Sequence, residues 1–265
     1  MIDIGVNLTN RRFEKDLAQV LERAQGVGVS YCLVTGTSVE ESRLAIDLCQ
    51  QYPLQLASTC GVHPHDADNA SDDFIDQIRQ LVNQHPCVKA IGECSLDFNR
   101  NFSTPENQLA VFKQQIALAA ELDLPLFLHQ RDAFEPWFEC LKPYLGKVPA
   151  MVAHCFTGNE QELQTCLSHD MYIGITGWVC DERRGQELQA IVNQIPLNRL
   201  MIETDAPYLT PRTIRPRPKS SRNEPAYLPY VVETLATLYG VEPTEIVKYS
   251  SENAARVFGL EYCHD

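Results

Sequence analysis

The sequence predicts an α/β fold, a (β/α)8 TIM barrel that spans residues 1–265 as a single domain. Three observations carry this expectation. Short apolar runs alternate with amphipathic stretches along the whole chain, the pattern of βα units on a parallel sheet. There are eight such runs, the number that closes a barrel. Five of them end in residues of metal-ligand type. The runs over 55–60, 88–92, 125–128, 149–153 and 199–202 lead respectively to His63 and His65, to Glu93, to His129, to His154, and to Glu203 with Asp205. A parallel barrel gathers chemistry at the face where its strands end and the following loops converge.

Strands are expected over 2–6, 31–35, 55–60, 88–93, 126–129, 150–154, 171–175 and 200–203. Between them, apolar residues recur three and four apart over 12–25, 39–50, 72–84, 106–122, 133–145, 160–168 and 185–194, which predicts helices. The last unit is longer, with helices over 226–239 and 243–258. Ser38 and Ser71 are expected to cap the second and third helices. Thr104 precedes Pro105, a residue favoured at the first helical position. No linker, repeat or low-complexity tract interrupts the pattern.

Composition narrows the function. No apolar run approaches the roughly 18 residues of a membrane span. A basic segment leading into an apolar one is absent from MIDIGVNLTN, so the expected location is the cytoplasm. The 10 cysteines are scattered, without a C-x-x-C pair, and read as reduced, mostly buried thiols. A net charge of −13 disfavours a broad basic surface for nucleic acid but leaves room for a small metal-filled pocket. One stretch runs the other way: RTIRPRPKSSR, over 212–222, carries Arg212, Arg215, Arg217, Lys219 and Arg222 and no acid. Because it follows Asp205, phosphate contact is expected of it. The alternative is a solvated loop kept from helix by Pro211, Pro216 and Pro218.

The strand ends carry the chemistry. Glu93 leaves VKAIGE for a polar segment and suits a bridging ligand, the alternative being a buried salt bridge. His129 closes PLFLH and His154 closes VPAMVAH. Neighbouring strands lie about 4.7–4.9 Å apart, so two such imidazoles can reach one ion at about 2.0–2.1 Å. Glu203 and Asp205, two residues apart, share one side of an extended chain. A carboxylate there can ligate a cation or take the proton of an attacking water; the alternative for Asp205 is a helix N-cap before Ala206 and Pro207. His63 is expected near the metal or the scissile group, and His65 and Arg131 at phosphate. Trp178 either stacks on a base or anchors its own loop. His85 and His169 read as helix C-terminal residues favoured by the dipole.

The strings GVHPH, GECSLDF, FLHQRDA, AHCFTG and IETDAPYLTP, followed by RNEPAYLP, resemble those of the TatD-type metal-dependent deoxyribonucleases, in order and over about residues 3–259. The resemblance implies a TIM barrel of the metallo-dependent hydrolase type that cleaves phosphodiesters with a divalent ion, Mg²⁺ in particular. Histidine ligands suit Mn²⁺ or Zn²⁺ as well. The implied substrates are 3′ ends of single-stranded DNA or RNA, and the chain is read as a monomer. Carried over, the metal ligands fall on Glu93, His129, His154 and Asp205, with His63 as a further active-site histidine. The family's Asp-x-His-x-His is Asp3-Ile4-Gly5-Val6-Asn7 here. Gly5 cannot ligate and Asn7 offers only an amide, which leaves one firm metal site and a second without its usual histidines. The enteric-bacterial members are similar in reading GVNLT at this place. Expected rival functions are hydrolysis of a small ester or amide, and a catalytically silent metal-binding protein.

Overall fold

Every predicted apolar run forms a strand. In the described residues, 1–261, of this computed structural model, eight strands follow one another in a single sheet in chain order. They are β1 (Ile2–Val6), β2 (Tyr31–Val34), β3 (Leu56–Cys60), β4 (Val88–Asp97), β5 (Leu126–Arg131), β6 (Met151–Ala153), β7 (Tyr172–Ile175) and β8 (Leu200–Ile202). β1 with β2, β3 with β4, β4 with β5, β5 with β6 and β7 with β8 pair in parallel. Between them lie α1 (Leu17–Gly26), α2 (Val39–Gln51), α3 (Phe74–Gln84), α4 (Pro105–Leu122), α5 (Phe134–Leu141), α6 (Glu160–Ser168) and α7 (Gln186–Ile191), and after β8 come α8 (Leu228–Tyr239) and α9 (Pro243–Phe258). This is the (β/α)8 barrel. Among the described residues, no helix is long and apolar enough to cross a membrane.

Departures from expectation have local causes. The first helix begins at Leu17 rather than near 12, because the chain after β1 first winds through turns such as Phe13 N–H to Asn10 C=O at 2.9 Å. Ser71 does not cap α3. Asp73 occupies the cap position, and the Ser71 hydroxyl donates to its carboxylate at 2.7 Å. The helix expected over 133–145 ends at Leu141 and passes into a 3-10 turn, Lys142–Tyr144, where Pro143 has no N–H to continue the ladder. Ser38 and Thr104 do cap, accepting from Glu41 N–H and Asn107 N–H.

The chain gathers into two compact units, Met1–Val34 with the chain from Cys155 onward, and Thr35–His154. In the first, β1 pairs with β2 and β7 with β8. The exit of β8 returns to β1: Val6 bridges Ala206, Asn7 N–H donates to Ala206 C=O at 2.8 Å, and Asp205 N–H to Gly5 C=O at 2.9 Å. Ile2, Ile4, Leu33 and Phe258 are among its fully buried side chains.

The second unit holds β3 to β6 and is braced by α4. Gln108 and Gln115 stand seven residues apart, two helical turns, and both are wholly buried on one face. The Gln115 amide accepts from Val62 N–H at 2.8 Å and donates to Val62 C=O at 3.0 Å. Gln108 does the same for Asp97, at 2.9 and 3.2 Å, and also donates to Ser103 C=O. Each glutamine thus acts as a ladder partner for main chain next to a polar strand end. The approach needs Gly61, where a Cβ would stand 2.9 Å from Gln115 Oε1 and 2.7 Å from the Gly92 backbone. Gln115→Leu keeps the volume but orphans two buried main-chain groups. We expect it to lower stability by roughly 2–6 kcal/mol in urea unfolding, at about 1–3 kcal/mol for each of the two unpaired groups. An unchanged midpoint would show that the clamp carries no weight.

Candidate metal centre

Glu93 owes its direction to an irregularity in β4. Ile91 faces Leu126 and Cys94 faces Leu128, so three steps along β4 match two along β5. Such bulges turn a side chain out of the ladder's alternation. Gly92 makes the bulge feasible: its φ is +146°, and a Cβ there would run into the carbonyl of Phe127. Glu93 is only 6% exposed, and its backbone N–H is tied to Gly36 C=O at 2.7 Å.

Three imidazoles converge on one oxygen of this carboxylate. His154 Nε2 lies 2.8 Å from Glu93 Oε1, His63 Nε2 3.2 Å and His129 Nδ1 3.2 Å. Burial alone would raise the Glu93 pKa; the charges of His154 and His63 and the hydrogen bonds from His129 and His154 outweigh it and hold it well below the usual carboxylate range. Burial lowers the His63 pKa, with Glu93 opposing. For His129 burial also lowers, but the carboxylates of Asp97 and Glu93 prevail and raise it. Of these two rings, His129 is thus shifted toward holding a proton and His63 away from it.

Each ring is oriented by a further contact. His63 Nδ1 accepts the backbone N–H of His65 at 3.1 Å, so the proton of neutral His63 must sit on Nε2, facing Glu93. His154 stacks on Phe127 with centroids 4.4 Å apart, and its backbone N–H donates to Leu128 C=O. His129 Nε2 faces Asp97 Oδ2 at 3.4 Å yet makes no hydrogen bond, a buried orphan nitrogen. His65 Nε2 takes the same Asp97 oxygen at 2.7 Å. Asp97 is a residue that reading the strand ends missed. It is 1% exposed, and its Oδ1 accepts from Asn99 and Arg100 N–H. Burial would raise its pKa, but His129, His65 and the Arg100 N–H hold it below the usual carboxylate range. β4 runs on to Asp97, past the strand end expected at Glu93, and so carries this carboxylate into the site.

The donor set fits a divalent ion. His63, Glu93 and His129 offer ligand atoms within 4.8 Å of one another, and His154 touches the same Glu93 oxygen. His129 turns Nδ1 to that same oxygen, so Nδ1 is the nitrogen it would offer such an ion, while Nε2 faces Asp97. Arg131, expected at phosphate, ends β5 and is exposed.

The other expected residues belong to the first unit. Asp205 adopts a left-handed φ of 52°, and its Oδ1 accepts from the Asn7 side-chain amide at 3.0 Å. Asn7, which stands where the family carries a histidine, turns its amide nitrogen to this carboxylate. Asp3 sets the same segment from beneath: its carboxylate accepts from Thr204 N–H at 2.9 Å and Thr204 Oγ1 at 2.5 Å. Burial pushes the Asp3 pKa up to about 7 against those bonds. No helix begins at Ala206, so Asp205 is not a cap; its carbonyl closes a turn with Tyr208 N–H. Glu203 is wholly buried, and its Oε1 accepts Cys155 N–H at 2.5 Å, an arrangement suited to positioning the main chain.

The arginine stretch is less open than its composition suggests. Arg222 makes paired contacts of 2.7 and 2.8 Å with Asp16, and Arg212 two of 3.0 Å with Glu182. Trp178 is half-buried in the turn Gly177–Cys180, with the Arg184 guanidinium 4.5 Å above its ring.

Comparison with known proteins agrees with this geometry. Residues 2–259 match the model of the family described as TatD related DNase. The chain is 54% identical over 260 residues to the 3′-5′ ssDNA/RNA exonuclease TatD of Pectobacterium parmentieri, covering 98% of this chain and 100% of that one. It is 50% identical to the protein of the same name from Salmonella typhimurium, over 99% and 100% of the two chains. Among solved structures, the TatD family hydrolase of Entamoeba histolytica superposes with a TM-score of 0.89 at 27% identity, covering 97% of each chain. The TatD homologue YjjV of Escherichia coli does so with 0.89 at 26% identity, covering 98% of each. The chain belongs to the family of TatD-related DNases.

Proposed function

We propose that this protein is a divalent-metal-dependent phosphodiester hydrolase, one domain that removes nucleotides from 3′ ends of single-stranded DNA or RNA. The observation that carries the reading is the buried Glu93 carboxylate ringed by His63, His129 and His154. Membership of the family supplies the substrate class, as the relatives' names give it. In this proposal Glu93, His129, His154 and Asp205 hold the ion, with Mg²⁺ as the working metal. When bound, a divalent ion polarises a phosphate oxygen and increases the acidity of water.

The chain's own residues do the rest. Asp205, its Oδ1 oriented by Asn7, accepts the proton of the water that attacks phosphorus in line. His63, whose proton sits on Nε2, donates toward the departing oxygen. His65 and Arg131 contact neighbouring phosphates, joined by Arg222 once it exchanges Asp16 for phosphate. Glu203 holds the Cys155 main chain. A cytoplasmic location completes the reading.

Incubation with 3′- and 5′-labelled single strands tests the function. Shortening from the 3′ end, silenced by a chelator and restored by Mg²⁺ ahead of Mn²⁺ or Zn²⁺, is the expected result. Intact strands alongside hydrolysis of a small ester or amide, or no hydrolysis of any kind, would replace the reading by one of its rivals. Asp205→Asn should keep measurable bound metal while cleavage falls by about 10²–10⁴-fold, the usual contribution of a general base. Full activity in that variant would remove Asp205 from the chemistry.

Protons and cation compete for the cluster. Because the His129 pKa is raised in the metal-free protein, metal affinity should fall as pH drops through and below that value, with about one proton displaced per ion. The same shift gives the sign for stability: the metal-free protein loses this contribution as pH rises through the raised pKa. Titration calorimetry from acid to mildly alkaline pH reads both protons and affinity. A flat profile would contradict the assignment of His129.

A further inference from the structure

Phe102 is an apolar ring turned outward in a loop without slack. It is 63% exposed. Its successor Ser103 is buried and tied on three sides: its Oγ donates to His65 C=O at 3.0 Å and accepts from Asp68 N–H at 3.0 Å, and its C=O accepts from Gln108 at 2.9 Å. Its predecessor Asn101 is left-handed at φ 47° and donates from its side chain to Phe98 C=O at 2.8 Å. A loop locked on both sides displays the ring by construction.

The ring has a definite place. It packs edge-to-face on His65, with centroids 4.8 Å apart and planes at 82°. His65 in turn meets His63 at 4.3 Å and lies 6.3 Å from His129. Phe102 therefore stands at the rim of the cluster that binds the scissile phosphate in the reading above. An edge-to-face contact engages one face of a ring at most, so a face remains open to a planar ligand.

Charge decides what such a face contributes. The chain carries −13, and Arg212 and Arg222 are already paired with carboxylates, so broad attraction of a polyanion is weak. Stacking needs no net charge and tolerates any base, because every base has a π face. Resting on the nuclease reading, we infer that Phe102 is a base-binding subsite: it stacks on a nucleobase of the strand whose phosphodiester lies at the Glu93 cluster.

Steady-state cleavage by metal-loaded wild type, Phe102→Ala and Phe102→Trp tests this, using single strands that are intact or carry one abasic unit at successive positions from the 3′ end. Phe102→Ala should raise KM for intact strands about tenfold, the order expected of one stacked base, and Phe102→Trp should restore it. At one abasic position wild type and Phe102→Ala should coincide, a convergence that a merely structural role would not produce. Unchanged KM in Phe102→Ala, or a penalty that persists at every abasic position, overturns the subsite while wild-type cleavage upholds the nuclease. A wild type that neither binds nor shortens any strand overturns both.

Discussion

Burial of the Glu93 carboxylate is the constraint around which the second unit is built. A carboxylate at 6% exposure is tolerable only when paired and hydrogen-bonded. Three imidazole nitrogens meet that demand at 2.8–3.2 Å on one oxygen. Orientation then spreads outward: Phe127 lies flat under His154, the His65 N–H fixes the tautomer of His63, and Asp97 faces both His65 and His129. A charge cage of this kind is stabilised by protons in the metal-free protein and by a cation otherwise, so the site and the fold share one electrostatic account.

Precision in the cage comes from uncharged groups. The bulge at Gly92 aims Glu93, and the two buried glutamines of α4 hold the main chain at Val62 and Asp97 with paired amide bonds. Such amide clamps have a fixed geometry and no titration, so the polar strand ends stay in place as the cluster changes its proton content. Asp3 and Asn7 play an analogous part in the first unit, where β1 grips Thr204 and Asp205. Asp3 is thus a structural anchor, and Asn7 a hydrogen-bond donor to Asp205.

An acidic protein that acts on a polyanion must recognise it locally. The pairing of Arg222 with Asp16 and of Arg212 with Glu182 shows why a stretch of cations is not by itself a binding surface. Acids remote in sequence neutralise these two arginines. Under the proposed function, recognition then falls mainly to groups at the cluster itself, where His65 and the exposed Phe102 ring lie against each other.

The strands, most helices and the ligand candidates Glu93, His129 and His154 were legible in the sequence, because burial writes itself as apolar periodicity and each ligand type sits at the end of such a run. Ser38 and Thr104 were legible as caps for the same reason: their partners lie three residues away. What lay beyond was everything set by partners remote along the chain. The role of Asp97 depends on His65 and His129, those of Gln108 and Gln115 on Asp97 and Val62, the turn of Asn7 toward Asp205 on the return of β8 to β1, and the quieting of Arg222 on Asp16. Local pattern specifies where a side chain can emerge from the core. Only the tertiary structure decides which distant group it meets, since hydrogen bonds and ion pairs act across space and leave no period in the chain.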